Sequence, residues 1–255
     1  ETAIQVLLDG TVWLLTENDG AIRVVTLPEK NYTTKPEIYS TKSGLFPADH
    51  FYQVYQDRAG NNWLLTDNGL GMIRPGERQP VNYFVETQGK QDGMNQAFYA
   101  VRECEDDICF TSDRGRIWCY QKKSGEFRLH ELPTKARITS IHAVGNDNTV
   151  VTTDSDGFFL SNLKTNKHIH YSPVTCKELS DQPILSAYVD RTSEVWFEQE
   201  EPGVVVHFNP ATGVVKREQM RVEYSNADRS RPAFHIHEDI HGHVSVSYTH
   251  LRAHE

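Results

Sequence analysis

The clearest alternation of apolar and polar positions lies in residues 54–74, VYQDRAGNNWLLTDNGLGMIR, where short apolar runs are separated by turn residues. Runs of this length, bounded by Asp, Asn and Gly, predict three strands joined by two tight turns. Aspartate suits the first turn because its carboxylate accepts backbone N–H bonds, and glycine suits both turns because it tolerates a positive φ angle. The pattern D-x-x-G-x-x-W-x-x-T-x-x-G is carried by Asp57, Gly60, Trp63, Thr66 and Gly69.

Two further copies of this pattern keep a tryptophan. Asp9-Gly10 precedes Trp13, in a copy that we interpret as having one shortened turn. Asp190 precedes Trp196 by the same six positions as in the first pattern, although Ser193 stands where the glycine is expected. A residue that recurs at one strand position is typical of packing between repeats. We therefore expect the three tryptophans to be buried, with each indole N–H donating to a carbonyl.

Degenerate copies extend the repeat along the chain. Two keep only the second half of the pattern, before Gly115 and Gly157, and another begins at Asp239 and Gly242. Counted at the tryptophan position, the copies lie 42 to 50 residues apart, at positions 13, 63, 108, 150, 196 and 245. This period is typical of β-propeller blades. We predict an all-β fold in which residues 1–245 form about five to six four-stranded antiparallel blades of an incomplete β-propeller with about seven blades.

The last ten residues do not follow the repeat. Residues 246–255, VSYTHLRAHE, resemble the translation of a transposon-based sequencing-library adapter, and the resemblance begins where the sixth tryptophan is due. We therefore expect this segment to be a non-native tail without fold or function, and we exclude His250 and His254 from any metal site.

Composition limits the classes of partner. The formal net charge of −9 repels phosphates and anionic lipids, and no basic patch offsets it, so we expect no nucleic-acid binding. No run approaches the roughly 18 to 20 apolar residues needed to cross a bilayer. Four cysteines, at 104, 109, 119 and 176, lack paired CxxC spacing. Cys109 and Cys119 flank a turn and are able to face each other, but we favour buried free thiols.

The pattern from Asp57 to Leu70, preceded by Ser43-Gly44-Leu45-Phe46, is similar to the two-component regulator propeller repeat, and the resemblance spans residues 1–245. It implies the extracytoplasmic, periplasmic sensor region of a Bacteroidetes-type hybrid two-component system. The membrane helix, the histidine kinase and the other phosphorelay domains would then lie in downstream segments. The resemblance further implies an oligosaccharide ligand, a homodimeric full-length receptor, and no catalysis by this part of the chain.

Ligands of propellers gather on the face formed by the loops that enter the innermost strands. Polar side chains on these loops are candidates for hydrogen bonds to sugar hydroxyls or a carboxylate: Asp49, His50, Asn95, Gln96, Arg137, Gln182, Arg229 and Arg231. We expect no cofactor and no metal. The nearest approach to a metal site is the run His235, His237, His241 and His243, whose spacing argues against one because a turn interrupts it.

Two alternative functions stay open. One is the propeller of a polysaccharide-active enzyme, a lyase or a hydrolase, because the catalytic carboxylates of such enzymes are defined by a spatial separation that sequence does not give. The other is a protein-interaction scaffold. A membrane helix and kinase motifs downstream in the uninterrupted gene would favour the sensor, whereas a stop codon or a catalytic module would favour the alternatives.

Overall fold

The structure is a computed structural model that describes residues 2–16, 18–24, 26–27, 32–33, 36–84, 96–104, 106–145, 147–199, 204–219, 233–242 and 244–249. Every regular element in these ranges is a β-strand, so the prediction of an all-β fold is confirmed. None of these residues belongs to a helix long and apolar enough to span a membrane.

Most of the strands form antiparallel four-stranded sheets in which strands adjacent in sequence are neighbours. The first sheet contains β1 (Thr2–Val6), β2 (Val12–Thr16), β3 (Ala21–Val24) and β6 (Glu37–Tyr39), with a ribbon of β4 (Thr26–Leu27) and β5 (Tyr32–Thr33) between the last two. The second contains β7 (Phe51–Gln56), β8 (Asn62–Thr66), β9 (Gly69–Ile73) and β10 (Val81–Tyr83). The third contains β11 (Phe98–Glu103), β12 (Asp107–Ser112), β13 (Arg116–Gln121) and β14 (Phe127–Glu131).

The second half of the chain repeats this arrangement. The fourth sheet contains β15 (Ile138–Ala143), β16 (Asn148–Thr153), β17 (Phe158–Asn162) and β18 (Lys167–Tyr171). The fifth contains β19 (Ile184–Val189), β20 (Val195–Gln199), β21 (Val204–Asn209) and β22 (Val214–Gln219), and a hairpin follows, of β23 (Ala233–Glu238) and β24 (Val244–Thr249). All six predicted tryptophan positions lie in the second strand of a sheet or hairpin, which confirms the period. We call the five sheets blades 1 to 5.

The chain divides into two compact units, one formed by Glu1–Asp113 and Ile117–Arg128 and the other by Arg114–Arg116 and Leu129–Glu255. In the first unit, buried residues of blades 1 and 2 form one apolar core, and those of blades 2 and 3 form another. In the second unit, residues of blades 4 and 5 form a third core. Each core lies between the facing sides of neighbouring blades, and burial of this apolar surface stabilises the stack.

The turn of blade 2 explains why the repeat combines aspartate with tryptophan. One carboxylate oxygen of Asp57 accepts the backbone N–H groups of Ala59 (3.0 Å) and Asn61 (2.8 Å), and the other accepts the indole N–H of Trp63 (2.9 Å). The expected carbonyl acceptor is therefore wrong, because the turn itself supplies a charged acceptor. One aspartate fixes both the turn and the orientation of a buried ring.

Blade 5 repeats this geometry around Asp190, which accepts the backbone N–H of Thr192 (2.9 Å) and the indole N–H of Trp196 (2.8 Å). Burial acts to raise the pKa of Asp190, but the hydrogen bonds from Trp196 and Thr192 outweigh it and lower the pKa below its ordinary value. Trp13 and Trp63 are fully buried, as expected, whereas Trp196 is half-buried. Its ring stacks on His207 with the centroids 4.5 Å apart.

The prediction of a shortened turn before Trp13 is wrong. Leu7 donates its backbone N–H to Thr11 at 2.9 Å, the same bond that the aspartate residues of blades 2 and 5 make in their turns. The turn therefore has its full length, Leu7 occupies the aspartate position, and Asp9 instead accepts the backbone N–H of Thr11 (2.9 Å). The Trp13 indole N–H is buried and has no partner among the residues that the structure describes.

Ser193 adopts the glycine conformation of the repeat, with a φ of 67° against 83° for Gly60. A side chain is strained in this region of backbone space. We expect Ser193→Gly to raise the free energy of unfolding by about 0.5 to 1 kcal/mol, measured by denaturant titration. The control Thr192→Gly should lower stability, because it removes the hydroxyl that donates to Asp190 at 2.7 Å. A neutral or destabilising Ser193→Gly would contradict the assignment of strain.

The hairpin of β23 and β24 departs from one expectation. Its turn follows the repeat, since Asp239 accepts the backbone N–H of His241 at 2.8 Å and Gly242 has a φ of 87°. Residues 246–249 were expected to carry no fold, yet they pair with β23. That expectation is wrong for these four positions, because strand pairing uses backbone groups and Val, Ser, Tyr and Thr are compatible with a strand. Residues 250–255 lie outside the described part of the chain.

The preference for free thiols at Cys109 and Cys119 is also wrong. The two residues are directly opposite each other in the register of β12 and β13, with their Cα atoms 4.0 Å apart, and they form a disulfide. Both side chains are buried. Pairing across neighbouring strands places the sulfur atoms in contact without any rearrangement of the backbone.

Candidate functional site

The loops that enter the first strands are anchored by glycines of the preceding blade. Before blades 2, 3 and 4, the glycine of the preceding blade's second turn donates its backbone N–H to a carbonyl of the entry loop. The pairs are Gly20 with Asp49 (2.9 Å), Gly69 with Gln96 (2.8 Å) and Gly115 with Ala136 (3.0 Å). Three of the predicted candidates, Asp49, Gln96 and Arg137, therefore lie at or beside the same position of the repeat.

This anchor requires glycine. Gly20 has a φ of 87°, and a Cβ atom there would lie 2.1 Å from the backbone oxygen of Tyr39. Thr16 adds a second constraint, because its hydroxyl donates to the carbonyl of Gly20 at 2.8 Å. The repeated Thr and Gly thus hold the entry loop in place, which gives its side chains a fixed position on the blade.

A β-bulge follows immediately in blades 2 to 5. The strand register shifts between residues 51 and 53, 98 and 101, 138 and 140, and 184 and 186. A bulge leaves one residue without a cross-strand partner and turns its side chain away from the regular alternation. The residues placed at these bulges are Tyr52 in blade 2, Tyr99 and Ala100 in blade 3, Thr139 in blade 4 and Leu185 in blade 5.

In the first unit, the entry loop and the bulges bring three rings together. The ring centroids of His50 and Tyr52 are 4.4 Å apart, and those of Tyr52 and Tyr99 are 4.9 Å apart. All three residues are partly exposed. The Tyr99 hydroxyl donates to the carboxylate of Asp113 at 3.0 Å. We call His50, Tyr52 and Tyr99 the aromatic cluster.

The other candidates in the first unit differ in whether their side chains already form hydrogen bonds within the protein. The Asp49 carboxylate is already hydrogen-bonded, because it accepts the backbone N–H (2.9 Å) and the hydroxyl (2.5 Å) of Thr41. Gln96 is 6% exposed, and neither its side-chain oxygen nor its nitrogen has a partner among the described residues. Asn95 lies outside those residues.

Two further candidates, Arg137 and Gln182, lie on the entry loops of blades 4 and 5. Arg137 is exposed and forms an ion pair with Asp154 (3.4 Å). Gln182 is exposed, and its backbone carbonyl accepts a hydrogen bond from Gln199 at 3.3 Å. Arg229 and Arg231 lie outside the described residues.

Sequence reasoning missed Tyr52 and Tyr99, although a signal was present. Phe51-Tyr52-Gln53-Val54 and Phe98-Tyr99-Ala100-Val101 share the pattern F-Y-x-V at the same place in two successive repeats. The buried phenylalanine begins the strand and the tyrosine occupies the bulge. The recurrence of tyrosine directly after the buried first residue of the strand therefore indicates that the tyrosine lies at the surface and outside the core.

The described residues contain no group of three or more His, Cys, Asp or Glu side chains suited to hold a metal ion. The side chains of His235, His237 and His243 fall outside the description, so the histidine run is not tested as a set. The aromatic cluster, bordered by Asp113, is suited to stack on a ring or an apolar face and to accept hydrogen bonds beside it.

No family model and no curated protein matches the chain. Solved structures do match. Virginiamycin B lyase from Staphylococcus aureus aligns with a TM-score of 0.69 and 14% identity over 98% of this chain and 84% of that chain. The fold is a β-propeller. The likeness to the lyase extends to a streptogramin B lyase, with a TM-score of 0.68 and 14% identity over 98% of this chain and 83% of that one.

A second propeller of a different kind is also similar. The extracellular domain of a hybrid two-component system from B. thetaiotaomicron aligns with a TM-score of 0.62 and 14% identity over 97% of this chain. The chain spans 39% of the length of that domain. At identities this low, the structural likeness shows the propeller fold alone.

Proposed function

We propose that this chain is the extracytoplasmic, ligand-sensing propeller of a hybrid two-component sensor, and that it binds an oligosaccharide without chemical turnover. The observation that carries the proposal is the aromatic cluster. Its three partly exposed rings lie on the entry loop and bulges of two neighbouring blades, where a propeller presents side chains to ligands. Sugar rings have apolar C–H faces that stack on aromatic rings while their hydroxyls hydrogen-bond at the edge.

Two further observations support this reading. The buried disulfide between Cys109 and Cys119 is of a kind that persists in oxidising compartments, which is consistent with a periplasmic location. The fold is also shared with the extracellular domain of a hybrid two-component system. In the proposed receptor, a homodimer carrying the kinase on downstream segments, the bound ligand would shift the balance between two signalling arrangements.

The proposal predicts that ligand binding depends on the rings of the cluster. Calorimetry with purified oligosaccharide fragments should detect binding, and Tyr52→Ala or Tyr99→Ala should weaken it by about tenfold or more, equivalent to ~1.4 kcal/mol. Tyr52→Phe and Tyr99→Phe keep the ring, so they should retain most of the affinity. Gln96→Ala, in the same unit as the cluster, should also weaken binding, whereas an affinity unchanged in both tyrosine-to-alanine variants would exclude the cluster as the site.

A lyase is the second candidate, favoured by the likeness to virginiamycin B lyase. In that protein a histidine-to-alanine variant is catalytically inactive, and in this chain His50 is the histidine of the aromatic cluster. Chromatography of the ligand after incubation separates the two functions. A sensor returns the ligand unchanged, whereas cleavage that His50→Ala abolishes would establish the enzyme and overturn the sensor.

A further inference from the structure

Blade 1 contains two buried hydrogen-bond donors that have no acceptor within the described part of the chain. The indole nitrogen of Trp13 and the Nε of Arg23 are both inaccessible to solvent, and neither has a partner among the described residues. The two residues face each other across β2 and β3, with the Arg23 guanidinium carbon 5.9 Å from the centre of the Trp13 ring. A buried donor without an acceptor costs about 1 to 3 kcal/mol, so such pairs are rare in folded proteins.

The tryptophans at the equivalent positions of blades 2 and 5 have the acceptor that Trp13 lacks in the described structure. In blades 2 and 5, an aspartate carboxylate six positions before the tryptophan accepts the indole N–H, at 2.9 Å for Asp57 and 2.8 Å for Asp190. In blade 1 this position is Leu7. The nearby Asp9 does not replace it, because the Asp9 carboxylate accepts the backbone N–H of Thr11 (2.9 Å) and does not reach the Trp13 indole nitrogen.

Arg23 supplies a charged donor beside this indole. Its side chain is only 12% exposed, and its ion pair with Glu37 (3.5 Å) is made by the Nη1 atom, so the Nε–H takes no part in it. The Glu37 carboxylate also pairs with Arg78 at 2.5 Å, but the Arg78 side chain is 75% exposed. A guanidinium N–H that is charged and buried makes its strongest hydrogen bonds to an anionic acceptor.

From these observations we infer that blade 1 binds a small monovalent anion, such as chloride, between the indole N–H of Trp13 and the Nε–H of Arg23. The anion takes the role that the aspartate carboxylate has in blades 2 and 5. It is a structural ligand of the first blade, independent of any ligand of the aromatic cluster.

Thermal unfolding in chloride, bromide or gluconate at one fixed ionic strength tests the inference. Gluconate is a much larger anion than either halide, so chloride and bromide should raise the melting temperature by about 2 to 4 °C relative to gluconate. Leu7→Asp should remove this halide dependence, because it restores the carboxylate of the repeat. Val6→Asp adds the same charge at a neighbouring position that is 69% exposed, and it should keep the dependence.

Trp13→Phe offers a second variant that keeps a ring and removes only the indole donor, and it should also reduce the halide effect. A bromide-soaked crystal should show an anomalous peak within about 3.5 Å of the Trp13 nitrogen. A melting temperature that does not respond to halide, or a response that persists unchanged in both Leu7→Asp and Trp13→Phe, would overturn the inference in favour of water or an empty site.

Discussion

Trp63→Ala is expected to lower the free energy of unfolding by about 3 to 5 kcal/mol, measured by denaturant titration. Trp63 has no exposed surface, and its ring lies 4.8 Å from Phe110 and 5.0 Å from Tyr120, measured between centroids. Truncation to alanine removes these contacts and leaves a cavity between blades 2 and 3. It also takes away the donor that reaches Asp57, so a buried carboxylate loses a hydrogen bond.

Two further variants separate the contributions of the ring and the N–H group. Trp63→Phe keeps much of the apolar ring and should cost about 1 to 3 kcal/mol, because only the hydrogen bond to Asp57 and part of the volume are lost. Trp196→Ala, at a half-buried position, should cost less than Trp63→Ala. Equal losses for Trp63→Ala and Trp196→Ala would show that burial between blades does not determine the role of these tryptophans.

The turns and the period of the repeat were readable from the sequence because each depends on local chemistry. Asp57 accepts N–H groups within six residues of itself, and Gly69 is needed where the backbone has a φ of 90°. Such requirements select particular residue types at fixed spacing, and a tryptophan kept in three of the copies marks the second strand of the blade. The all-β fold and its four-stranded blades follow from these signals.

The candidate site was harder to predict from the sequence, because bulges and cross-strand pairs depend on how two strands are aligned with each other. A bulge adds one residue to a strand without changing its apolar character, so the exposure of Tyr52 could not be derived from the alternation of one repeat alone. Comparison of its F-Y-x-V segment with the copy at Tyr99 would have indicated it. Likewise, the backbone hydrogen bond of its turn was needed to assign Leu7 to the aspartate position of the repeat.

The same reasoning applies to the disulfide, whose two cysteines are equidistant from Arg114 in the turn between β12 and β13. Removal of the bridge should lower the free energy of unfolding by about 3 kcal/mol, because the separation of 10 residues between the cysteines closes a short loop that restricts the unfolded chain. Denaturant titration of wild-type protein with and without reductant measures this loss. The double variant Cys109→Ala, Cys119→Ala should be less stable than the oxidised wild type and insensitive to reductant.

The free cysteines provide the matched control, since Cys104 and Cys176 form no bridge in the structure. The double variant Cys104→Ala, Cys176→Ala should keep the full response to reductant, because it leaves the bridged pair intact. Thiol titration of protein purified from the periplasm and unfolded without reductant should find two reactive thiols among the four cysteines, and four after reduction. Four thiols before reduction would show that the bridge does not form, and they would also remove the disulfide as support for an extracytoplasmic location.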